Sequence, residues 1–237
     1  MNTDIKTNLA RVISQIQQLA EHHGKLANSI QLLAVSKTFP AEQIRLAYQS
    51  GQIAFGENYI DEALVKINTL SDLDIEWHYI GPIQSNKTRK IAENFQWVHS
   101  LASLKHAKRL SEQRPTSMPP LNVCIQVNVS GEDSKSGVNA QDAEILASDL
   151  QDLPGLLLHG IMGIPAQTTD INEQRQAFST LASIYQQLKK TYGSIDTLSM
   201  GMSGDMEAAI AEGSTMVRIG TAIFGKRQNR KPEITNE

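Results

Sequence analysis

The residues of this chain that could do chemistry stand at the ends of short apolar runs. In "QLLAVSKTFP", Gln31 to Pro40, five apolar or small residues lead up to Lys37. A lysine at a strand end is often only a solvated ammonium. If desolvation or a neighbouring cation kept it as the neutral amine, it would condense with an aldehyde to form a Schiff base, which an ammonium cannot do. A second stretch, "SMGMSGDMEAAIAEGS", Ser199 to Ser214, places glycines and small residues ahead of a helical pattern that begins near Asp205. Ser203 and Gly204 offer a hydroxyl and approachable backbone N–H groups, the donors that hold a phosphate at a helix N-terminus. The same residues also read as an ordinary cap and turn, with Asp205 as the cap. Asp205 and Glu207 have the wrong sign for a phosphate unless they point away. A third stretch, "MVRIGTAIFG", Met216 to Gly225, interrupts an apolar strand with Arg218. A buried arginine needs a partner, either an internal ion pair or a ligand. Gly220 and Thr221 follow at that strand's end with further donors.

The elements that must carry these residues alternate. β-rich runs lie at 31–37, 53–58, 76–82, 97–101, 122–129, 157–164, 197–203 and 216–224. Several are continuously apolar, as strands covered on both faces are. Helical patterns lie between them: one after Pro40, taken as its first residue, that stops at Gly51, then 58–69, 84–94, 103–113, 139–152, 171–192 and 205–212. An amphipathic helix precedes them, with Ile5, Leu9, Val12, Ile16 and Leu19 on one face, Thr3 or Asp4 as its cap and Gly24 at its end. About eight strand–helix units after one extra helix is the arithmetic of a single (β/α)8 TIM barrel with an additional N-terminal helix. A doubly wound open sheet shows the same alternation, but no G-x-G-x-x-G follows a strand, which weakens a dinucleotide-binding version. The expected organisation is one domain over 1–237: the helix at 1–24 packed on the barrel, the barrel at 31–225, and a polar tail at 228–237. "RPTSMPP", Arg114 to Pro120, reads as a loop before strand five.

Composition narrows the function. The chain has 237 residues, 40% of them hydrophobic, and a formal net charge of −3. No basic stripe of the kind nucleic-acid binders use is present, and "KTRK" and Lys226-Arg227 read as solvated surface. No segment has the length of a membrane span or a signal-peptide core, so the expectation is a cytoplasmic protein. The lone Cys124, inside an apolar run, reads as a buried inert thiol. Met200, Met202, Met206 and Met216 read as core fillers. His78 and Asn86 flank "HYIGPIQSN" and either place polar groups at the barrel mouth or stabilise a loop.

Active residues of such barrels sit at the C-terminal ends of the strands, and phosphate sites often follow strands seven and eight. Strand one, with Lys37, adjoins strand eight around a closed barrel. An amine and a phosphate cradle at neighbouring strand ends suit an aldehyde that carries a phosphate, and pyridoxal 5′-phosphate is the natural candidate.

The stretches "LLAVSKTFP", "FGENYIDEALVK", "WHYIGPIQSNK", "VNVSGEDSKSGV", "HGIMGIP" and "LSMGMSGDMEAAIAEGSTMVRIGTAIFG" cover nearly the whole chain in order. With them the chain resembles the pyridoxal phosphate homeostasis protein family, whose fold is similar to the barrel domain of bacterial alanine racemases. The resemblance implies that Lys37 holds the cofactor in a Schiff base. It implies that Ser203, Gly204, Gly220 and Thr221 surround the phosphate, that Arg218 faces the pyridine nitrogen and that Asn58 lies near the ring. Lys135 matches a family lysine near the pocket, and it reads equally as a solvated loop charge. Phe39 stands where many relatives carry a basic residue. Because a guanidinium only donates, Arg218 would keep the ring nitrogen unprotonated and make the ring a poorer electron sink.

Two functional classes follow. One is a monomeric pyridoxal phosphate carrier without robust turnover, whose acceptors include pyridoxal-phosphate-dependent apo-enzymes. The other is a small racemase-type enzyme with Lys37 as one base and Tyr59 or His78 opposite. About a dozen residues follow Gly225, too few for the second domain that racemases of this fold bring, and this favours the carrier. A module that binds a phosphate ligand without any covalent bond is a third reading.

Overall fold

The computed structural model describes residues 4–130 and 136–226. Apolar residues recur at three- and four-residue spacing from Ile5, and this segment forms α1 (Ile5–His22), burying Ile5, Leu9, Val12, Ile16 and Ala20. The Asp4 carboxylate accepts from the Thr7 N–H at 3.1 Å and caps the helix. The other cap candidate, Thr3, lies outside the described residues.

The apolar runs are strands, and they close on themselves. β1 (Gln31–Val35), β2 (Ala54–Glu57), β3 (Glu76–Tyr79), β4 (Trp97–Leu101), β5 (Leu121–Val127), β6 (Leu156–Gly163), β7 (Thr197–Ser199) and β8 (Met216–Ile219) pair in parallel in chain order. The closing register runs from Gln31 opposite Met216 to Ala34 opposite Ile219. Between the strands lie α2 (Ala41–Gln49), α3 (Ile60–Thr69), α4 (Thr88–Asn94), α5 (Leu104–Gln113), α6 (Ala140–Leu150), α7 (Ile171–Thr191) and α8 (Met206–Ala211), and α9 (Thr221–Phe224) follows the last strand. This is the (β/α)8 barrel with an added N-terminal helix that the alternation predicts. α1 packs against α2, α8 and α9, over the outside of the β8–β1 seam.

Several boundaries differ from the sequence reading. Pro40 is the cap before α2, extended at φ −72° and ψ 160°, rather than its first helical residue. The helix expected from 84 starts at Thr88, because the preceding loop is pinned to the barrel: the Ser100 hydroxyl donates to Gly81 O and the Tyr79 hydroxyl to Pro82 O. β7 stops at Ser199, short of the expected 203, where the Asp205 carboxylate takes the Met202 N–H and turns the chain toward α8. β8 stops at Ile219, and residues expected in strand form α9. A Cβ at Gly220 would lie 2.9 Å from Val35 O, so the chain passes β1 too closely for a side chain and then bends. The Phe224 N–H closes the turn onto Gly220 O at 3.0 Å. Ile223 and Phe224 are buried there, with the Phe224 ring 5.1 Å from that of Phe39. The apolar character of 222–224 thus serves the α1–α9 contact, not the sheet.

Among the described residues no helix is long and apolar enough to cross a membrane, and no group of His, Cys, Asp and Glu has metal-site geometry.

Candidate ligand-binding site

The C-terminal ends of the strands surround a cavity of about 300 Å³. Four consecutive strands of the closed sheet, β7, β8, β1 and β2, bring the predicted residues to it. Lys37 reaches it from beyond β1, Asn58 from beyond β2, and Ser203 and Gly204 from beyond β7. Arg218 reaches it from within β8, with Gly220 and Thr221 just after that strand. All seven residues singled out in the sequence therefore meet in one space.

Its electrostatics are one-sided. Lys37 and Arg218 line it, and among the described lining residues there is no carboxylate. In a chain with net charge −3 that concentration of positive charge selects an anion. Asp205 and Glu207, the reservation raised against a phosphate, are not part of the lining. Asp205 turns its carboxylate to its own loop at Met202, and Glu207 is exposed on α8. Burial raises the Asp205 carboxyl above its ordinary range, against the lowering by the Met202 N–H and the Arg218 charge. Because α8 has only six residues, the hydrogen-bond donors this edge offers are the hydroxyls of Ser203 and Thr221 and the local N–H groups rather than a long helix dipole. A Cβ built on Gly204 would meet no atom within 4 Å, so the glycine leaves space in the cradle that the protein itself does not fill.

Arg218 is fixed from behind. Its Nη1 donates to Ser199 O at 2.7 Å and to Ser199 Oγ at 2.9 Å, and its Nη2 donates to Gly163 O at 3.0 Å. Burial pulls the guanidinium down to about 10, partly offset by the Asp205 charge, which leaves it charged at neutral pH. Apolar side chains, among them Ile80, Met162, Ile164 and Met202, complete the walls.

A family model described as "Alanine racemase, N-terminal domain" matches residues 7–228. A pyridoxal phosphate homeostasis protein of Vibrio cholerae is 54% identical over 227 residues, covering 94% of this chain and 96% of the relative. Another of that name from Pseudomonas aeruginosa is 54% identical over 228 residues, covering 96% and 98%. The chain belongs to the pyridoxal phosphate homeostasis protein family. Among solved structures, PipY of Synechococcus elongatus, determined with PLP bound, superposes with a TM-score of 0.77 at 37% identity, covering 89% of this chain and all of that one.

One part of this family member's site was missed in the sequence. Lys66, on α3, is buried, and its Nζ donates to Glu57 Oε1 at 2.7 Å, to Glu62 Oε1 at 2.5 Å and to Ser36 O at 2.9 Å. The Ser36 hydroxyl donates to Glu57 Oε1 at 2.6 Å, and the Thr38 N–H to Glu62 Oε1 at 2.6 Å. Ser36 and Thr38 are the two neighbours of Lys37, so one buried ionic cluster holds the backbone on both sides of it. Thr38 is held at φ +69°, where a β-branched residue is strained. The available signal was Glu57 in "FGENY", a carboxylate ending an apolar strand. Glu62 and Lys66 looked like an ordinary exposed i,i+4 pair.

Other readings resolve as follows. His78 is not at the mouth: it is fully buried inside the barrel, its ring nitrogens taken by His99 and Glu76. Asn86 is exposed in the loop before α4, and Tyr59 is half-exposed at the start of α3; neither lines the cavity. Cys124 is buried, and burial drives its thiol well above the usual range. Met200, Met206 and Met216 are core residues, whereas Met202 lines the cavity. Lys135 lies outside the described residues.

Proposed function

We propose that the cavity binds pyridoxal 5′-phosphate with Lys37 as its covalent partner through a Schiff base, and that the chain serves intracellular homeostasis of this cofactor as a cytoplasmic monomer without robust turnover. Ser203, Gly204, Gly220 and Thr221 hold the phosphate, Arg218 donates to the ring nitrogen, and Asn58 lies beside the ring. The observation that carries this reading is the meeting of a lysine, an arginine and two hydroxyl-bearing strand ends across the β8–β1 seam in one cavity with no carboxylate among its described lining residues. The PLP bound in the Synechococcus relative and the names of the bacterial relatives support it.

The residues fit such a group. Hydroxyls and amides suit a phosphate dianion, and Arg218, donating to protein acceptors through only part of its five N–H groups, has donors left for a ring acceptor. When bound, pyridoxal phosphate supplies an aldehyde for condensation with amines and a conjugated ring that absorbs in the visible. Lys37 binds and orients, and Arg218 keeps a proton off the ring nitrogen by occupying it as a donor.

Arg218 stays charged and neither Tyr59 nor His78 reaches the cavity, so among the described lining residues no second acid or base stands opposite Lys37. That supports storage or delivery of the cofactor, with apo-enzymes as acceptors, over two-sided proton transfer. Loading the protein with cofactor and incubating it with L-amino acids in deuterated water tests this. Exchange or racemisation slower than about 1 s⁻¹ is expected, and turnover at ordinary enzymatic rates would make the chain a racemase-type enzyme.

A further inference from the structure

Behind Arg218 a row of polar side chains crosses the barrel. Ser199 Oγ, which receives the Arg218 Nη1 proton, lies 3.1 Å from His99 Nδ1. His99 Nε2 lies 2.9 Å from His78 Nδ1, and His78 Nε2 lies 2.6 Å from Glu76 Oε1. These residues come from β8, β7, β4 and β3, and β4 and β7 are not neighbours in the sheet, so the Ser199–His99 contact spans the lumen. Ser199, His99 and His78 are fully buried. Glu76 is the first residue of β3 and its side chain is 44% exposed, at the end of the barrel opposite the cavity. The Trp97 indole lies parallel to the His78 ring at 5.3 Å.

The carboxylate end of the row dictates its direction. A guanidinium has no acceptor and a carboxylate has no donor. With uncharged rings, Glu76 requires the proton of His78 on Nε2. His78 Nδ1 is then an acceptor, so His99 carries its proton on Nε2 as well. His99 Nδ1 must accept from the Ser199 hydroxyl, whose oxygen accepts from Arg218. The arginine end is compatible with this assignment, since Ser199 Oγ accepts from Arg218 and keeps its own proton for His99 Nδ1. Burial lowers both imidazoles, His99 far below its ordinary value, which agrees with neutral rings.

We infer that Ser199, His99, His78 and Glu76 are positioning residues for the cofactor site: a hydrogen-bonded row of single direction that holds the Arg218 guanidinium with its remaining N–H groups toward the cavity. The inference rests on the cofactor reading above for its role, and on geometry alone for its direction. Acceptors occupy one side of the guanidinium: Ser199 O, Ser199 Oγ and Gly163 O. The Nε–H and one Nη2–H are left for a ligand.

The test uses nitrogen-15 NMR of the histidines in cofactor-free protein. Both His78 and His99 are expected as neutral Nε2–H tautomers at neutral pH. An imidazolium or an Nδ1–H tautomer at either ring overturns the direction. Glu76→Gln keeps an acceptor oxygen and should preserve both tautomers. Glu76→Leu removes it, and His99, which does not touch residue 76, should then show a second tautomer together with His78; an unchanged His99 overturns the connected row. Absorbance titration with pyridoxal phosphate reads the role. Glu76→Leu should raise the dissociation constant roughly 2- to 30-fold, and Glu76→Gln should restore it toward wild type. Equal affinity in all three proteins overturns the positioning role. Failure of the wild type to bind at all removes the cofactor reading and the role with it, while the histidine spectra still decide the row.

Discussion

The Lys66 ammonium stands 2.9 Å from the carbonyl of Ser36, the residue immediately before Lys37. The same ammonium pairs with Glu57 and Glu62, and Glu62 in turn accepts the N–H of Thr38, immediately after Lys37. The proposed covalent residue is thus seated between two backbone anchors tied to one buried charge.

Breaking that charge pair has a defined cost. Lys66→Met leaves Glu57, which is fully buried, without its cation, and should destabilise the cofactor-free protein by about 3–5 kcal/mol at neutral pH. Lys66→Met combined with Glu57→Gln should recover most of this. Denaturant melts measure both, and a double variant no more stable than the single one contradicts the pairing.

The pH dependence follows with its sign. Burial, the largest influence, raises the Glu57 carboxyl above its ordinary value, against lowering by Lys66 and Ser36, and Glu57 Oε2 has no partner. An acid whose folded pKa is raised holds its proton more tightly in the native state. Its contribution to stability therefore falls as pH rises from the ordinary carboxylate value through the raised one. Removing Lys66 removes a lowering influence, so the deficit of Lys66→Met should shrink on acidification from about pH 7 to about pH 5. A deficit that grows over that range refutes the assignment.

Thr38 stores strain that glycine would release. The left-handed conformation costs a β-branched residue about 1–2 kcal/mol, and glycine's added freedom in the unfolded chain returns about 0.4–1 kcal/mol of that. Thr38→Gly should raise unfolding stability by up to about 1 kcal/mol while weakening cofactor capture, since the loop around Lys37 loosens. Stability and an absorbance titration on the same variant check the opposed signs; a less stable variant contradicts the strain.

How far the sequence carried this account depends on what each feature required. Lys37, Asn58, Ser203, Gly204, Gly220 and Thr221 were legible because each stands beyond a strand end, and Arg218 because it interrupts the apolar β8; chain order alone makes these strands neighbours in a closed barrel. The Lys66 cluster was not, because its meaning comes from burial of α3 against the β1 and β2 ends, and a Glu–Lys pair four apart looks identical on an exposed helix. His78 was read as either a polar group at the mouth or a loop stabiliser, because period-two alternation does not tell lumen from surface; it lies within β3, fully buried, with His99 and Glu76 on its ring nitrogens. Residues 220–224 were read as strand because their apolar side chains are buried, but they are buried against α1 and Phe39, a packing choice that local pattern does not encode.

The phosphate cradle is tested one hydroxyl at a time. Ser203→Ala and Thr221→Ala should each weaken pyridoxal phosphate binding by about 1–3 kcal/mol, as loss of a hydrogen bond to a charged group does, with little change in melting of the cofactor-free protein because both residues are exposed. Fluorescence or absorbance titration supplies the constants. Unchanged affinity in both variants moves the phosphate elsewhere.

Cys124 should resist alkylation in the native state, because burial keeps its thiol protonated, and should react fully once the chain unfolds. Rapid native labelling at that residue contradicts the packing of the barrel interior.

The most direct test of the central claim is chemical. Purified protein loaded with pyridoxal phosphate is treated with borohydride, digested and mapped by mass spectrometry. The expected result is loss of visible absorbance together with a stable pyridoxyl adduct on the peptide containing Lys37, absent in Lys37→Ala. An adduct mapping to a different lysine, or no reducible bond in protein that still binds the cofactor, contradicts it.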